Sequence, residues 1–255
     1  RDDLLPDPER PEVIYASTLG GFARSEDGGR SWKRGGGIAP AGRLAVPQRG
    51  CAPAGTLVSA NPVMRSTDGG ESWTPLDFGM ATLVASGAGC GLWAAREIEG
   101  DAFLAKVTPE GEPVWATYLG GGRADSVRRI AVDAQGNVTV TGATASPDFP
   151  GTARGARGAG DVFVTRFDRH GALVYSTLLA GSSIDAPASL AADTDGAALV
   201  AGKSYSADFP FTAGTAAGPG GFAARLDANG HLVFAAAVGP APPERFPGDS
   251  APPVA

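Results

Sequence analysis

The chain has 255 residues, of which 43% are hydrophobic, and a formal net charge of −6 at pH 7. This length and composition are sufficient for one large domain with a full hydrophobic core. The negative charge argues against a nucleic-acid or anionic-membrane surface, because both require basic patches. No apolar run reaches the ~20 residues of a transmembrane helix, so the sequence predicts no insertion into a membrane.

The chain begins with a charged, proline-rich segment, residues 1–11, which predicts a loosely held N-terminal arm. Short runs with β character then continue to about residue 239. Residues 240–255 are again rich in proline and are interpreted as a tail or linker. The sequence starts with Arg1 rather than methionine, which favours the removal or omission of a leader and is compatible with export.

The first half of the predicted β region, about residues 12–79, contains the element S-x-D-G-G-x-S-W twice, starting at Ser25 and again at Ser66. A serine hydroxyl and an aspartate carboxylate at this spacing can accept hydrogen bonds from the N–H groups of their own turn. The element resembles the Asp-box, or BNR repeat, of sialidases and related propellers. The resemblance implies a structural hairpin remote from any active site. The residues concerned are Ser25, Asp27, Gly29 and Trp32 in the first element and Ser66, Asp68, Gly70 and Trp73 in the second.

The second half, about residues 80–239, is organised by a longer repeat. The stretch 101–150 recurs without a gap at 161–210, so that Asp161 takes the place of Asp101, and a shorter third copy covers 222–239. Each full copy has four runs rich in Val, Ile, Thr, Phe and Tyr, separated by turns that contain glycine or asparagine. No stretch has apolar residues at helical spacing. Four antiparallel strands repeated in series predict the blades of a β-propeller.

Three segments of this repeat, 115–121, 130–142 and 146–150, resemble the bacterial SBBP repeat, which is named for β-propellers. The resemblance implies a propeller that is often exported and often part of a longer protein, and it implies no catalytic residues. The predicted fold is therefore all-β, with about five four-stranded blades. The first blade lacks a clear innermost strand, which favours a fragment of a larger propeller over a closed ring of five.

The two cysteines occupy equivalent positions, since Cys51 and Cys90 each follow a leucine (Leu44 and Leu83) by seven residues. They are predicted to lie near turns of adjacent blades. A disulfide between these turns would fit an oxidising compartment, but it requires Cα atoms within ~7 Å. The alternative interpretation is two small residues in equivalent turns.

Strands within a blade are lettered A to D from the axis outward, so the A–B and C–D turns lie on one side and the B–C and D–A loops on the other. We name the second side the loop face; it carries loops 120–126, 146–160, 180–187 and 206–220. Binding residues usually lie on loops that a rigid scaffold presents. The alternative is that these loops are anchored by their Asp-Phe-Pro triplets and that their arginines are merely solvated. The candidate ligand-face residues are Arg123, Asp125, Arg154, Arg157 and Asp185.

No recognised arrangement of catalytic or metal-binding residues is present. The only histidines, His170 and His231, sit at equivalent hairpin tips, and no Ser–His–Asp set can be argued from the sequence. There is no P-loop and no dinucleotide-binding glycine motif. The sequence therefore predicts no catalytic residues, no metal and no cofactor.

The leading hypothesis is a non-enzymatic, exported β-propeller that serves as a binding or scaffold module, located outside the cell, at its surface or in the periplasm. Its predicted partner is a protein or a carbohydrate, with further domains of the same chain as an additional candidate and no nucleic acid. The Asp-box resemblance makes a sialidase-like glycoside hydrolase the first alternative, although the Arg-Ile-Pro signature of sialidases is absent. A third hypothesis is an assembly factor similar to the Asp-box propellers of photosystem biogenesis, which predicts a broad arginine patch.

Overall fold

The computed structural model of the chain describes residues 3–18, 21–35, 43–60, 62–76, 83–86, 90–98, 100–154, 158–193, 195–213 and 220–240, and every structural statement concerns these residues. Their strands are β1 (Asp3–Pro6), β2 (Ile14–Thr18), β3 (Gly21–Ser25), β4 (Lys33–Arg34), β5 (Leu44–Ala45), β6 (Leu57–Ser59), β7 (Met64–Ser66), β8 (Thr74–Pro75), β9 (Leu83–Ser86), β10 (Leu92–Ile98), β11 (Asp101–Val107), β12 (Pro113–Leu119), β13 (Asp125–Val132), β14 (Val138–Thr144), β15 (Thr152–Arg154), β16 (Asp161–Phe167), β17 (Leu173–Leu179), β18 (Asp185–Ala192), β19 (Ala198–Ser204), β20 (Gly220–Leu226) and β21 (Leu232–Pro240).

The strands form five separate sheets, of which four are built from four consecutive antiparallel strands; the remaining sheet has four antiparallel strands and adds β15 at its outer edge. We number them as blade 1 (β1–β4), blade 2 (β5–β8), blade 3 (β9–β12), blade 4 (β13, β14, β16 and β17) and blade 5 (β18–β21). The innermost strands of consecutive blades lie side by side, in the order β1, β5, β9, β13 and β18. The predicted all-β fold and its five four-stranded blades are confirmed.

Within blades 3 to 5, the C–D hairpins share one backbone turn, closed by hydrogen bonds from the N–H groups of Thr108, Asp168 and Asp227 to the carbonyls of Glu112, Ala172 and His231. The Asp168 carboxylate accepts hydrogen bonds from the backbone N–H groups of His170 (2.8 Å) and Ala172 (2.9 Å). Gly171 supplies the positive φ of 93° that such a turn requires, which a residue with a Cβ adopts only at a cost. This local chemistry fixes where each hairpin reverses and therefore the register of the strands that follow.

The hydrophobic core lies between the faces of consecutive blades, as expected for sheets that each have two packing faces. Strand β16 shows this most clearly, because all seven of its residues are buried. Phe163 projects from it toward blade 3 and stacks on Phe149 at 4.7 Å between ring centroids, whereas Val162 and Val164 project toward blade 5.

Residues 3–6 form a strand, although the sequence predicts residues 1–11 to be a loosely held arm. Strand β1 pairs with β2 and supplies the innermost strand that blade 1 lacks at the sequence level. Leu5 packs against the core between blades 1 and 2. The buried Asp7 carboxylate accepts hydrogen bonds from the Tyr15 hydroxyl (2.7 Å) and the Arg10 guanidinium (2.8 Å). These tertiary contacts order a segment whose composition alone is typical of an arm.

The long B–C loop of blade 4 folds back against the outer strand of its own blade. Strand β15 lies within it and pairs in parallel with β17, the outermost strand of the same blade. In blade 5 the corresponding loop makes a parallel bridge between Ala213 and Ala236. Both loops thus cover the outer edge of their own blade, where β17 and β21 would otherwise present unpaired backbone groups.

Blades 2 and 3 are joined covalently, because Cys51 and Cys90 form a disulfide with their Cα atoms 4.8 Å apart. Cys90 has a positive φ of 61°, so it occupies the left-handed region in its turn.

Candidate functional site

The two S-x-D-G-G-x-S-W hairpins use their polar side chains internally. The Asp27 carboxylate accepts hydrogen bonds from the Ser31 backbone N–H (2.8 Å) and hydroxyl (2.6 Å), and Ser25 Oγ accepts one from the Gly29 N–H (2.8 Å). The two bonds from Ser31, that of its hydroxyl foremost, lower the pKa of Asp27 to about 2. A carboxylate so engaged is a weak proton acceptor and is fully ionised at neutral pH.

The second hairpin repeats this arrangement. Ser72 donates to the Asp68 carboxylate through its hydroxyl and its backbone N–H, and the hydroxyl foremost lowers the pKa of Asp68 to about 2. Trp73 packs edge-on against Phe22 of blade 1 at 5.4 Å, whereas Trp32 of the first hairpin remains 42% exposed. The hairpin geometry therefore accounts for both carboxylates without a ligand.

The loop face of blade 4 is held by a compact polar lock. The Asp125 carboxylate, buried at the start of β13, accepts a hydrogen bond from the Gly121 N–H (2.8 Å) and lies 2.7 Å from Ser146 Oγ. Ser146 Oγ also accepts the Arg123 N–H (2.9 Å), and the Asp148 carboxylate accepts the Gly122 N–H (2.8 Å). The D–A loop is thus fastened to the B–C loop of its own blade.

Blade 5 carries the same lock at the equivalent positions of its repeat. Ser206 Oγ lies 2.9 Å from the Asp185 carboxylate and accepts the Ser183 N–H (3.0 Å), and the Asp208 carboxylate accepts the Ser182 N–H (2.7 Å). The serines and second aspartates were not among the candidate residues. Their signal was the repeated S-x-D-F-P motif, whose phenylalanines are also buried beneath the loops.

A cavity of about 260 Å³ opens beside the lock of blade 4, where β13 begins, β14 ends and β16 begins. Asp125 and the exposed Arg128 supply its charged groups. Small residues form most of the remaining wall, so the cavity is open to a side chain or a main chain. The lining residues are Ala124, Asp125, Ser126, Arg128, Ala143, Thr144, Ala145, Ala159 and Gly160.

The predicted ligand-face residues fall into different environments. Arg123 is exposed, whereas Asp125 and Asp185 are buried in the two locks. Arg154 is in β15 at the outer edge of blade 4. Four strand spacings separate β15 from β13, or roughly 19 Å, so the backbone of Arg154 is far from the cavity. Arg157 lies outside the described residues.

Asp185 is the carboxyl group in an environment suited to acid chemistry. Burial raises its pKa, and the negative charge of Asp161 adds to that effect, while hydrogen bonds from Ser204 and Ser206 oppose it. The carboxyl groups of Asp185 and Asp161 are almost completely buried. Neither is therefore accessible to a substrate as the protein stands.

Two further properties concern the described residues as a whole. They contain no cluster of three or more His, Cys, Asp or Glu side chains arranged to hold a metal ion. They also contain no helix with the length and hydropathy needed to cross a membrane.

Comparison with known proteins agrees with the geometry. Residues 114–150 match the model of the SBBP family, a β-propeller repeat. The structure is similar to that of YCF48 bound to D1 peptide, with a TM-score of 0.53 and 11% identity over 93% of this chain and 72% of that chain. The chain is a β-propeller.

The propeller is also similar to the crystal structure of an ancestral GH74 enzyme, with a TM-score of 0.51 and 14% identity over 91% of this chain. It spans 37% of the length of that enzyme. No curated protein matches the sequence. Identities this low establish the fold and do not assign an activity.

Proposed function

We propose that this propeller is a non-catalytic binding module, located in an oxidising compartment outside the cytoplasm, and that it takes an extended protein segment on the loop face. The observation that carries the proposal is the cavity of about 260 Å³ beside Asp125, because its walls are held in place by the polar lock. A preorganised site binds with a smaller loss of conformational entropy than a site that must be ordered.

The chemistry of the cavity favours an acidic side chain of the partner. Arg128 lines it and is exposed, and Arg123 is exposed on the adjoining D–A loop. The Asp125 carboxylate is already engaged by Gly121 and Ser146. The exposed charge among the residues that line the cavity is therefore that of Arg128, in contrast to the net charge of −6 of the whole chain.

Two other observations support the proposal. The similar propeller YCF48 is described with a bound peptide, which makes a protein segment the first ligand to test. The disulfide between Cys51 and Cys90 supports an oxidising compartment, because such bonds rarely persist in a reducing cytosol.

The test is selection of a peptide from a displayed library on the purified chain, followed by fluorescence polarisation of the labelled peptide. We expect Arg128→Glu to weaken binding about tenfold or more, equivalent to ~1.4 kcal/mol. Arg34→Glu is the matched control, because Arg34 is an exposed arginine on the outer strand of blade 1. Binding that does not respond to Arg128→Glu, or selection of a glycan in a parallel carbohydrate array, would contradict the proposal.

A glycoside hydrolase is the second candidate, favoured by the raised pKa of Asp185 beside Asp161. Catalysis would require a movement that opens this pair, since both carboxyl groups are buried. Release of nitrophenol from a panel of nitrophenyl glycosides, abolished by Asp185→Asn, would establish this function in place of the binding module.

A further inference from the structure

Blades 4 and 5 differ in the exposure of one face, the face that points toward the next blade along the chain. We name the side of blade 5 that points away from blade 4 the terminal face; it comprises Ala191, Leu199, Ala201, Ala223, Arg225 and Phe234. Pairing registers make these residues equivalent to Ala131, Thr139, Thr141, Val164, Arg166 and Tyr175 of blade 4.

Each position of the terminal face is more exposed than its equivalent in blade 4. Thr139 is 0% exposed because blade 5 covers it, whereas Leu199 is 47% exposed. Every residue of β16 is buried, but residues of the equivalent strand β20 alternate between buried and partly exposed. The terminal face thus keeps apolar side chains that the same fold covers one blade earlier.

The buried ion pair of blade 4 has a counterpart on this face. Arg166 forms a buried ion pair with Asp133 and donates a hydrogen bond to Thr139. The equivalent Arg225 lies 3.7 Å from Asp193 and 3.6 Å from Asp195, and all three side chains are substantially exposed. The terminal face therefore repeats the polar pattern of an interface between blades.

Blades 3 and 4 show what covers this position. The C–D hairpin glycine of the next blade sits against the fourth strand, so that a Cβ on Gly171 would lie 2.9 Å from Trp115 and one on Gly230 would lie 2.6 Å from Tyr175. Thr177 also donates a hydrogen bond to the Gly230 carbonyl (2.7 Å). Only a glycine hairpin fits so closely over the ring.

Phe234 occupies the place of Trp115 and Tyr175 in blade 5. It lines a cavity of about 380 Å³ together with Leu199, Arg225 and Asp193. Among the described residues, no sheet and no closely packed pair of strands joins blade 5 to blade 1.

We propose that the terminal face is a docking site for one further four-stranded blade of the type seen in blades 3 to 5, distinct from residues 1–240, whose C–D hairpin glycine sits on Phe234. The hairpin of a second copy's blade 1 is a poorer fit. Blade 1 has a hairpin of the S-x-D-G-G-x-S-W type. The hairpin of this type in blade 2 places Gly70 against Phe22, which lies on a third strand rather than a fourth.

The test uses the chain with residues 180–239 repeated directly after Gly239. We expect trypsin to cleave the added copy about tenfold more slowly than in the same fusion carrying Leu199→Asp in the original blade 5, because proteolysis follows the population of the undocked blade. Val233→Asp is the matched control. Its equivalent Val174 stays 48% exposed with blade 5 in place, so this change is expected to leave the protection unaltered.

A second fusion adds residues 120–179 instead, which guards against an added copy that fails to fold. Rapid cleavage of both added blades regardless of Leu199→Asp would overturn the proposal. So would self-association of residues 1–255 that Leu199→Asp abolishes, since the occupant would then be a second copy. Faster cleavage at Arg225 in a chain ending at Gly239 than in residues 1–255 would assign the face to the tail and also overturn it.

Discussion

Blades 1 and 2 are built differently from blades 3 to 5. Strands β4, β5 and β8 have two residues each, whereas β10, β11, β12, β14, β16, β17, β19 and β20 have seven. The short strands form few backbone hydrogen bonds, and their hairpins are instead closed by serine and aspartate side chains. The long strands rely on continuous ladders and on large side chains buried between blades. One fold is thus stabilised by two different sets of interactions.

The largest expected effect tests the core of the long-strand blades. Phe163→Ala removes a fully buried ring that stacks on Phe149, so we expect the free energy of unfolding in urea to fall by about 3–5 kcal/mol. Phe103→Ala at the equivalent, partly exposed position of blade 3 is the control, with a loss of about 1 kcal/mol. Equal losses at the two sites would show that the stacked core is not what stabilises these blades.

The next effect concerns the short-strand side of the comparison. Replacing both Cys51 and Cys90 by serine should lower the free energy of unfolding by about 4 kcal/mol, because the disulfide restricts the unfolded chain over a separation of 39 residues. Reduction of the unmutated chain with dithiothreitol should give the same loss. Hydrogen exchange is expected to increase first in blade 2. An increase confined to blades 4 and 5 would argue against this assignment.

The smallest effect tests a single hairpin. Asp68→Asn should cost about 1 kcal/mol at pH 7, the usual net value of the hydrogen bonds it weakens at an exposed site. The pKa of Asp68 is lowered from 3.8 to about 2, so its contribution is present above pH 3.8 and is lost as the pH falls to 2. The stabilities of the variant and the unmutated chain should therefore converge below pH 2. Glu71→Gln is the control, and an undiminished difference below pH 2 would refute the mechanism.

Local repetition made much of this fold predictable. The recurrence of the stretch from Asp101 at Asp161 and the glycine turns indicate the long-strand blades from the sequence alone. Strand β1 was missed because its order depends on the contact of Leu5 with the core and on the bond between Asp7 and Tyr15, neither of which is encoded in local composition. Strand β15 was missed because it pairs with a strand that follows two elements later in the chain, so that Thr152 lies opposite Thr177.

The candidate site was less predictable for a related reason. The sequence predicts Asp125 and Asp185 to be loop residues open to a ligand, yet each is buried and is hydrogen-bonded to a serine that follows it by 21 residues. Whether a loop carboxylate faces solvent depends on how two loops meet, and sequence spacing alone does not determine that. The arginines were identified from the same pattern, and Arg123 does lie exposed on the loop face.

The bond between Cys51 and Cys90 also determines what happens when the backbone is cut. It spans the boundary between the two kinds of blade, and the segment between the cysteines contains β6, β7, β8 and β9. A protease that hydrolyses any peptide bond in that segment therefore leaves a single covalent molecule. The nicked chain migrates as one species on a non-reducing gel and separates into two fragments only after reduction, so the propeller can tolerate damage at this boundary without losing either half.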